Sequence, residues 1–131
     1  MTNPFENDSD ATDSTMRSMR VLAGIGALAC GVAIGMSAYA MHGALAPQDH
    51  ERVAVAAVFL FAHGLALAAL APGTRSRLRQ AGFFVLMIGT ILFSGSLVLA
   101  AWLGIAPTLA PFGGSLLMLG WLLVGGDFLF G

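Results

Sequence analysis

A few polar residues are the only groups in this apolar chain that could carry chemistry at membrane depth. They are three histidines, one cysteine, one aspartate close to the C-terminus and a short serine-rich element: His42, His50, His63, Cys30, Asp127 and Ser94–Ser96. His63 is the most informative, because it lies near the middle of an uncharged run, about 15 Å from either end at 1.5 Å per residue. Polar side chains at that depth are costly and usually face the interior of a helix bundle.

Two interpretations of His63 remain open from the sequence. The functional one is a proton relay, a ligand contact or a metal ligand. The structural one is an interhelical hydrogen bond, with Ser94 or Ser96 as candidate partners, worth about 0.6 to 2 kcal/mol. We favour the structural interpretation. His63, Ser94, Ser96 and His42 form the candidate polar centre.

Metal binding and catalysis find little support in the sequence. Cys30 lies at a similar depth in its own run, but a Cys/His pair alone supplies too few ligands for a soft metal. The chain has no HExxH, no GxSxG, no phosphate loop and no paired acids at depth. We therefore expect no catalytic residue, no metal site and no cofactor, and we predict that the protein is not an enzyme.

The composition excludes an ordinary soluble protein. Apolar residues make up 57% of the chain and charged residues 10%, against about 45–50% and 25% in soluble domains. The formal net charge is -1, so there is no basic surface for nucleic acid. We expect the lipid bilayer as the partner and no nucleic acid. One cysteine cannot close an intrachain disulfide.

The distribution of charge divides the chain into uncharged spans. Four runs are close to the length of about 20 residues that crosses a hydrocarbon core, and they predict helices at about 21–43, 53–71, 81–103 and 112–130. Pro111 suits the first turn of the last helix, where its missing N–H costs nothing. Runs this long without two-residue alternation are not barrel strands.

The predicted fold class is therefore all-α, a four-transmembrane-helix membrane bundle over residues 17–131. Residues 1–16 carry four acids and little apolar surface, which predicts a disordered acidic N-terminal tail.

Arginine positions predict the orientation. Five of the six arginines flank the first span or lie between the second and third, and cytoplasmic loops carry the arginine excess. Both termini should therefore face the cytoplasm of a bacterial inner membrane. A cleaved signal peptide is the rival interpretation, because Ala38–Ala40 has the A-x-A form of a cleavage site. We favour a retained helix, since the apolar run is longer than a typical signal segment.

Small residues should bring the helices together, because lipid supplies no hydrophobic drive for association. Gly31 and Gly35 form a GxxxG pair, and other small residues recur at helical spacing along the later spans. We expect these stripes to pack inside the monomer, with a homodimer face as the alternative. The predicted packing glycines are Gly31, Gly35, Gly89, Gly95, Gly113, Gly114 and Gly120.

Four segments in order, taken together, resemble the small bacterial membrane proteins grouped as domain of unknown function 423. The segments read AYAMHGAL (38–45), FAHGLAL (61–67), GTILFSGSLV (89–98) and APFGGSLLMLGWL (110–122). The resemblance places a set of residues on the family's motif positions: His42, His63, Ser94, Gly95, Ser96, Pro111, Gly113, Gly114 and Trp121. It implies a multi-pass plasma-membrane protein and supplies no activity.

The leading hypothesis from the sequence is a non-enzymatic inner-membrane protein that acts by packing or by association with partners, either a homo-oligomer or other membrane proteins. The alternative is a small permease or channel subunit that works as an oligomer around His63 and Ser94–Ser96.

Overall fold

The computed structural model describes the backbone of residues 4–131 and the side chains of residues 10–131. Its regular structure consists of four helices: α1 (Pro4–His42), α2 (Pro47–Leu70), α3 (Arg77–Leu103) and α4 (Ala110–Phe130). Each contains a stretch long and apolar enough to cross a membrane. The prediction of an all-α, four-helix chain is therefore confirmed.

The N-terminal segment differs from the predicted disordered tail. From Pro4 onward the chain is helical and continuous with the first span, while residues 1–3 lie outside the described part. One physical effect favours this extension: elongation of an existing helix avoids the cost of nucleation.

The helix ends follow local chemistry. Pro47 occupies the first turn of α2, so the polar segment 47–52, expected between helices, forms the first turns of α2 instead. Ser76 caps α3, and its hydroxyl accepts a hydrogen bond from the Arg79 N–H at 3.4 Å. Gly104 ends α3 with a φ of 65°, a left-handed conformation that glycine adopts without a Cβ clash.

The helices pack in chain order: α1 against α2, α2 against α3, and α3 against α4. One buried apolar cluster nevertheless contains side chains from all four helices and from Ala71, the residue that follows α2. Its members are Met19, Leu22, Leu67, Ala71, Phe83, Leu86, Leu117 and Val124. We call the end of the bundle that holds residues 10–20, 71–80 and the end of α4 the arginine-rich end.

The closest approach of α3 and α4 occurs at glycines. A Cβ placed on Gly113 would lie 2.4 Å from the Phe93 nitrogen and 2.9 Å from the Gly89 carbonyl oxygen. One placed on Gly120 would lie 3.0 Å from the Leu86 nitrogen. The seven-residue spacing of Gly113 and Gly120 thus keeps one face of α4 against the backbone of α3.

The crossing of α1 and α2 uses a pair absent from our predicted set. A Cβ on Gly26 would lie 2.5 Å from the Gly64 carbonyl oxygen, and one on Gly64 would lie 2.7 Å from the Gly26 carbonyl oxygen. Gly26 is missing from the predicted set because the GxxxG spacing points to Gly31 and Gly35, which lie on another face of α1.

Several predicted packing glycines do not lie in these interfaces. Gly31, Gly35 and Gly95 have no atom within 4 Å of a Cβ built on them, and Gly114 makes only ordinary contact with the Phe93 ring. Our expectation that the Gly31–Gly35 stripe packs inside the monomer is therefore corrected. The physical reason is that α1 has one close neighbour, α2, which covers the Gly26 side of the helix.

We predict that Gly113→Ala lowers the free energy of unfolding in detergent by about 1–3 kcal/mol, because the added methyl group meets the backbone of α3. The matched control is Gly95→Ala, which enters open space and should be neutral or slightly stabilising. Denaturant unfolding followed by circular dichroism measures both. Equal stability of the two variants would contradict the proposed close approach.

Candidate functional site

His63 lies at the centre of the bundle and joins α2 to α4. The Trp121 indole N–H donates a hydrogen bond to its Nε2 at 3.2 Å, and its Nδ1 lies 2.8 Å from the Phe59 carbonyl oxygen. Because an indole N–H can only donate, Nε2 is the acceptor and Nδ1 carries the proton. Both ring nitrogens of a neutral imidazole are therefore occupied.

Aromatic rings enclose this imidazole. The Phe59 ring is stacked on it, with centroids 5.7 Å apart and planes inclined by 18°. The Trp121 ring lies 6.1 Å away, tilted by 52°, and Phe93 of α3 packs on Phe59 at 4.3 Å. His63 is 8% exposed. Rings from three helices thus hold the imidazole in one orientation.

The serines of the predicted polar centre do not contact His63 as expected. Ser94 is buried and donates a hydrogen bond to the Ala56 carbonyl oxygen of α2 at 3.1 Å, while Ser96 is buried elsewhere on α3. The expected hydrogen bond between His63 and Ser94 or Ser96 is thus corrected, because the Trp121 indole N–H occupies Nε2 and the Phe59 carbonyl oxygen occupies Nδ1. Ser94 still ties α3 to α2, one turn of α2 away from Phe59.

The remaining candidates lie apart from this centre. His42 is exposed in the last turn of α1, and His50 is half-buried in the first turns of α2. The Cys30 thiol donates a weak hydrogen bond to the Phe61 carbonyl oxygen at 3.6 Å. Within residues 10–131, no cluster of three potential metal ligands forms.

The strongest charged interaction lies at the arginine-rich end. Asp127 of α4 is 4% exposed, and its Oδ2 accepts hydrogen bonds from the Arg79 Nε and Nη2 at 2.6 Å. Its Oδ1 accepts a hydrogen bond from the Ser76 hydroxyl, while the Arg79 guanidinium lies over the Phe128 ring, 4.4 Å from its centroid. One carboxylate thereby joins the cap of α3 to the last turn of α4.

Among the arginines of this end, Arg79 is the one that pairs with Asp127. α3 and α4 are antiparallel neighbours, so the first turn of α3 meets the last turn of α4. Trp121 was missed as the partner of His63. Its depth in the span was the available signal, because a buried indole N–H normally finds an acceptor.

This geometry determines what the candidate site can do. Neither nitrogen of the His63 ring is free to bind a ligand, and neither oxygen of the Asp127 carboxylate lacks a donor. Both groups join helices by interactions that are satisfied within the chain. The arrangement therefore favours positioning of helices over binding or proton transfer at these residues.

The His63–Trp121 hydrogen bond should stabilise the fold measurably. We predict a coupling energy of about 0.5–2 kcal/mol in a double-mutant cycle of His63→Leu and Trp121→Phe, measured by unfolding in mixed micelles. Leucine fills the space of the ring without offering an acceptor, and phenylalanine keeps an aromatic ring without a donor. Additive effects of the two substitutions would contradict the interaction.

Asp127→Asn should lower the free energy of unfolding by about 1.5–3 kcal/mol, because Arg79 loses a charged acceptor. The control is Asp49→Asn, which removes the ion pair with Arg52. There the two side chains are 26% and 23% exposed, so we expect a change below about 1 kcal/mol. The same unfolding measurement compares them, and a larger loss for Asp49→Asn would contradict the assignment.

Comparison with known proteins gives one family. The family model described as "Protein of unknown function (DUF423)" matches residues 36–114. No curated protein and no solved structure matches the chain significantly. The matched range contains His63, Ser94 and Gly113, while Trp121 and Asp127 lie beyond it. The chain therefore belongs to the DUF423 family of proteins of unknown function.

Proposed function

We propose that this chain is a non-enzymatic, multi-pass protein of the bacterial inner membrane that works by self-association through α1. The observation that carries the proposal is the outward glycine stripe of that helix. Gly24, Gly31 and Gly35 have no atom within 4 Å of a built Cβ. At 100° per residue they fall within about 40° of one another, opposite the buried Gly26 and Ala33.

The stripe suits a second helix because close approach of backbones through small residues is what associates helices in lipid. Of the candidate spans, that of α1 is the least covered, with 17% of its most apolar window buried against 28 to 39% in the other three. The helix thus combines an open face with the sequence pattern that such contacts use.

A shallow apolar groove beside the stripe adds to the proposed interface. It has a volume of about 320 Å³ and lies between α1 and α2, with Ile34, Ser37, Val58 and Phe61 among its walls. Ile34 neighbours Gly31 one turn along α1. A bulky side chain from a second copy can enter this groove while the two glycine stripes come together.

The polar centre supports this proposal over the alternative of a permease or channel subunit. His63 directs both ring nitrogens to partners within the chain, and Ser94 does the same with its hydroxyl. A conduction path needs polar groups that can exchange partners with a passing substrate. His63 and Ser94 instead form hydrogen bonds within the chain that connect neighbouring helices.

The arginine distribution supports an orientation for the proposed assembly. Arg17 and Arg20 precede the apolar part of α1. Arg75 precedes α3 and Arg77 and Arg79 lie in its first turn, at the same end of the bundle. Since arginine-rich ends stay on the cytoplasmic side, we propose that both termini are cytoplasmic.

Self-association can be measured by energy transfer between labelled chains in liposomes, diluted stepwise with lipid. We expect the wild-type chain to dimerise, and Gly31→Leu and Gly35→Leu to weaken dimerisation by about tenfold, since a leucine holds the two backbones apart.

Gly125→Leu is the matched control, because Gly125 also has open space around it and belongs to α4, whereas the extensive packing of α1 is on α2. It should leave dimerisation unchanged. A wild-type chain that stays monomeric at every protein-to-lipid ratio would overturn the proposal. Equal dimerisation of the wild-type and Gly31→Leu chains would do the same.

A further inference from the structure

Two adjoining cavities at the arginine-rich end differ in chemistry. The first, of about 990 Å³, lies between α1 and the Pro72–Gly73 turn, and charged residues of α1 line it. The second, of about 280 Å³, is an apolar groove between α1 and α3. We call them the charged cavity and the apolar groove. Arg17 and Ser18 line both, so the two adjoin at these residues.

Among residues 10–131, the charged residues that line the first cavity are balanced. Its lining contains Asp10 and Asp13 together with Arg17 and Arg20. Within residues 10–131, neither Asp13 nor Arg17 forms an ion pair, although they are four residues apart on one face of α1. Both side chains are exposed, so both charges are open to an external group.

The groove has the dimensions of a lipid chain segment. Its walls include Val21 and Ile25 of α1 and Phe84 and Met87 of α3. From Arg17 to Ile25 it follows α1 for about 12 Å at 1.5 Å per residue. Because Val21 begins the uncharged part of the helix, the groove enters the apolar layer just where the charged cavity ends.

We propose that these adjoining cavities bind one zwitterionic aminophospholipid, with the phosphate at Arg17, the ammonium at Asp13 and one acyl chain in the apolar groove. A balanced set of acids and arginines favours a headgroup that carries both charges. An anionic headgroup would meet the two aspartates without a cation of its own. None of Gly24, Gly31 and Gly35 lines either cavity, so lipid retention and self-association are tested by substitutions at different residues.

The headgroup chemistry suggests three probes that differ by one feature each. Phosphatidylethanolamine has a phosphate and an ammonium with N–H donors. Phosphatidylcholine keeps both charges but has no N–H donor, and phosphatidylglycerol keeps the phosphate without a cation. The delipidated full-length protein is mixed with equal amounts of the three lipids in detergent, and native mass spectrometry measures the retained lipid.

We expect phosphatidylethanolamine to be retained preferentially in the wild-type protein. Arg17→Gln should reduce its retention by about tenfold, the change expected when a charge-assisted hydrogen bond is lost. Asp13→Asn should reduce the preference for phosphatidylethanolamine over phosphatidylglycerol. Ile25→Trp fills the groove without altering any charge and should also reduce retention of phosphatidylethanolamine.

Arg52→Gln is the matched control, because Arg52 lies at the opposite end of the bundle, and it should leave retention unchanged. Thermal unfolding checks that each exposed substitution leaves the fold intact. Equal retention of the three lipids by the wild-type protein would overturn the proposal. So would a preference for phosphatidylglycerol, or an Arg17→Gln variant that retains phosphatidylethanolamine as the wild-type protein does.

Discussion

Close approach of helix backbones at glycine is the interaction on which the rest of this structure depends. In a bilayer, apolar side chains gain little by leaving lipid for one another, so helices associate through packing and polar contacts. Gly26 with Gly64 and Gly89 with Gly113 bring carbonyl oxygens to distances that a Cβ would not permit. Those crossings set the separations at which the side chains of the core can meet.

The polar groups follow from that packing. Once α2, α3 and α4 are held together, His63 and Trp121 are near enough to share a hydrogen bond, and Ser94 reaches the Ala56 carbonyl oxygen. At the arginine-rich end, the antiparallel pairing of α3 and α4 places Asp127 over the cap of α3. These buried polar groups thus find partners that the backbone arrangement has already brought near, as a low-dielectric surrounding requires.

The sequence predicts the number, type and approximate bounds of the helices, because charge-free runs of membrane length have few other solutions. It also singles out His63 and the spacing of Gly113 and Gly120. It does not predict which polar side chains meet, since Trp121 and Ser94 are both compatible with a histidine at that depth. Nor does it reveal that Gly31 and Gly35 face outward, because periodicity defines a stripe and only the positions of neighbouring helices determine which stripe is covered. The composition of residues 1–16 predicts disorder because it describes that segment in isolation. In the structure, α1 extends from the first span back to Pro4.

The packing of each helix against its predecessor bears on the order of assembly. α1 meets α2, α2 meets α3 and α3 meets α4, so every backbone interface can form as soon as its second helix has been synthesised and inserted. Such neighbour-by-neighbour contacts keep loop closure short and suit folding during translation. The hydrogen bond from Trp121 to His63 is different, since it spans 58 residues and joins the last helix to the second. It can form only after α4 has entered the membrane, and its formation would mark the completed bundle.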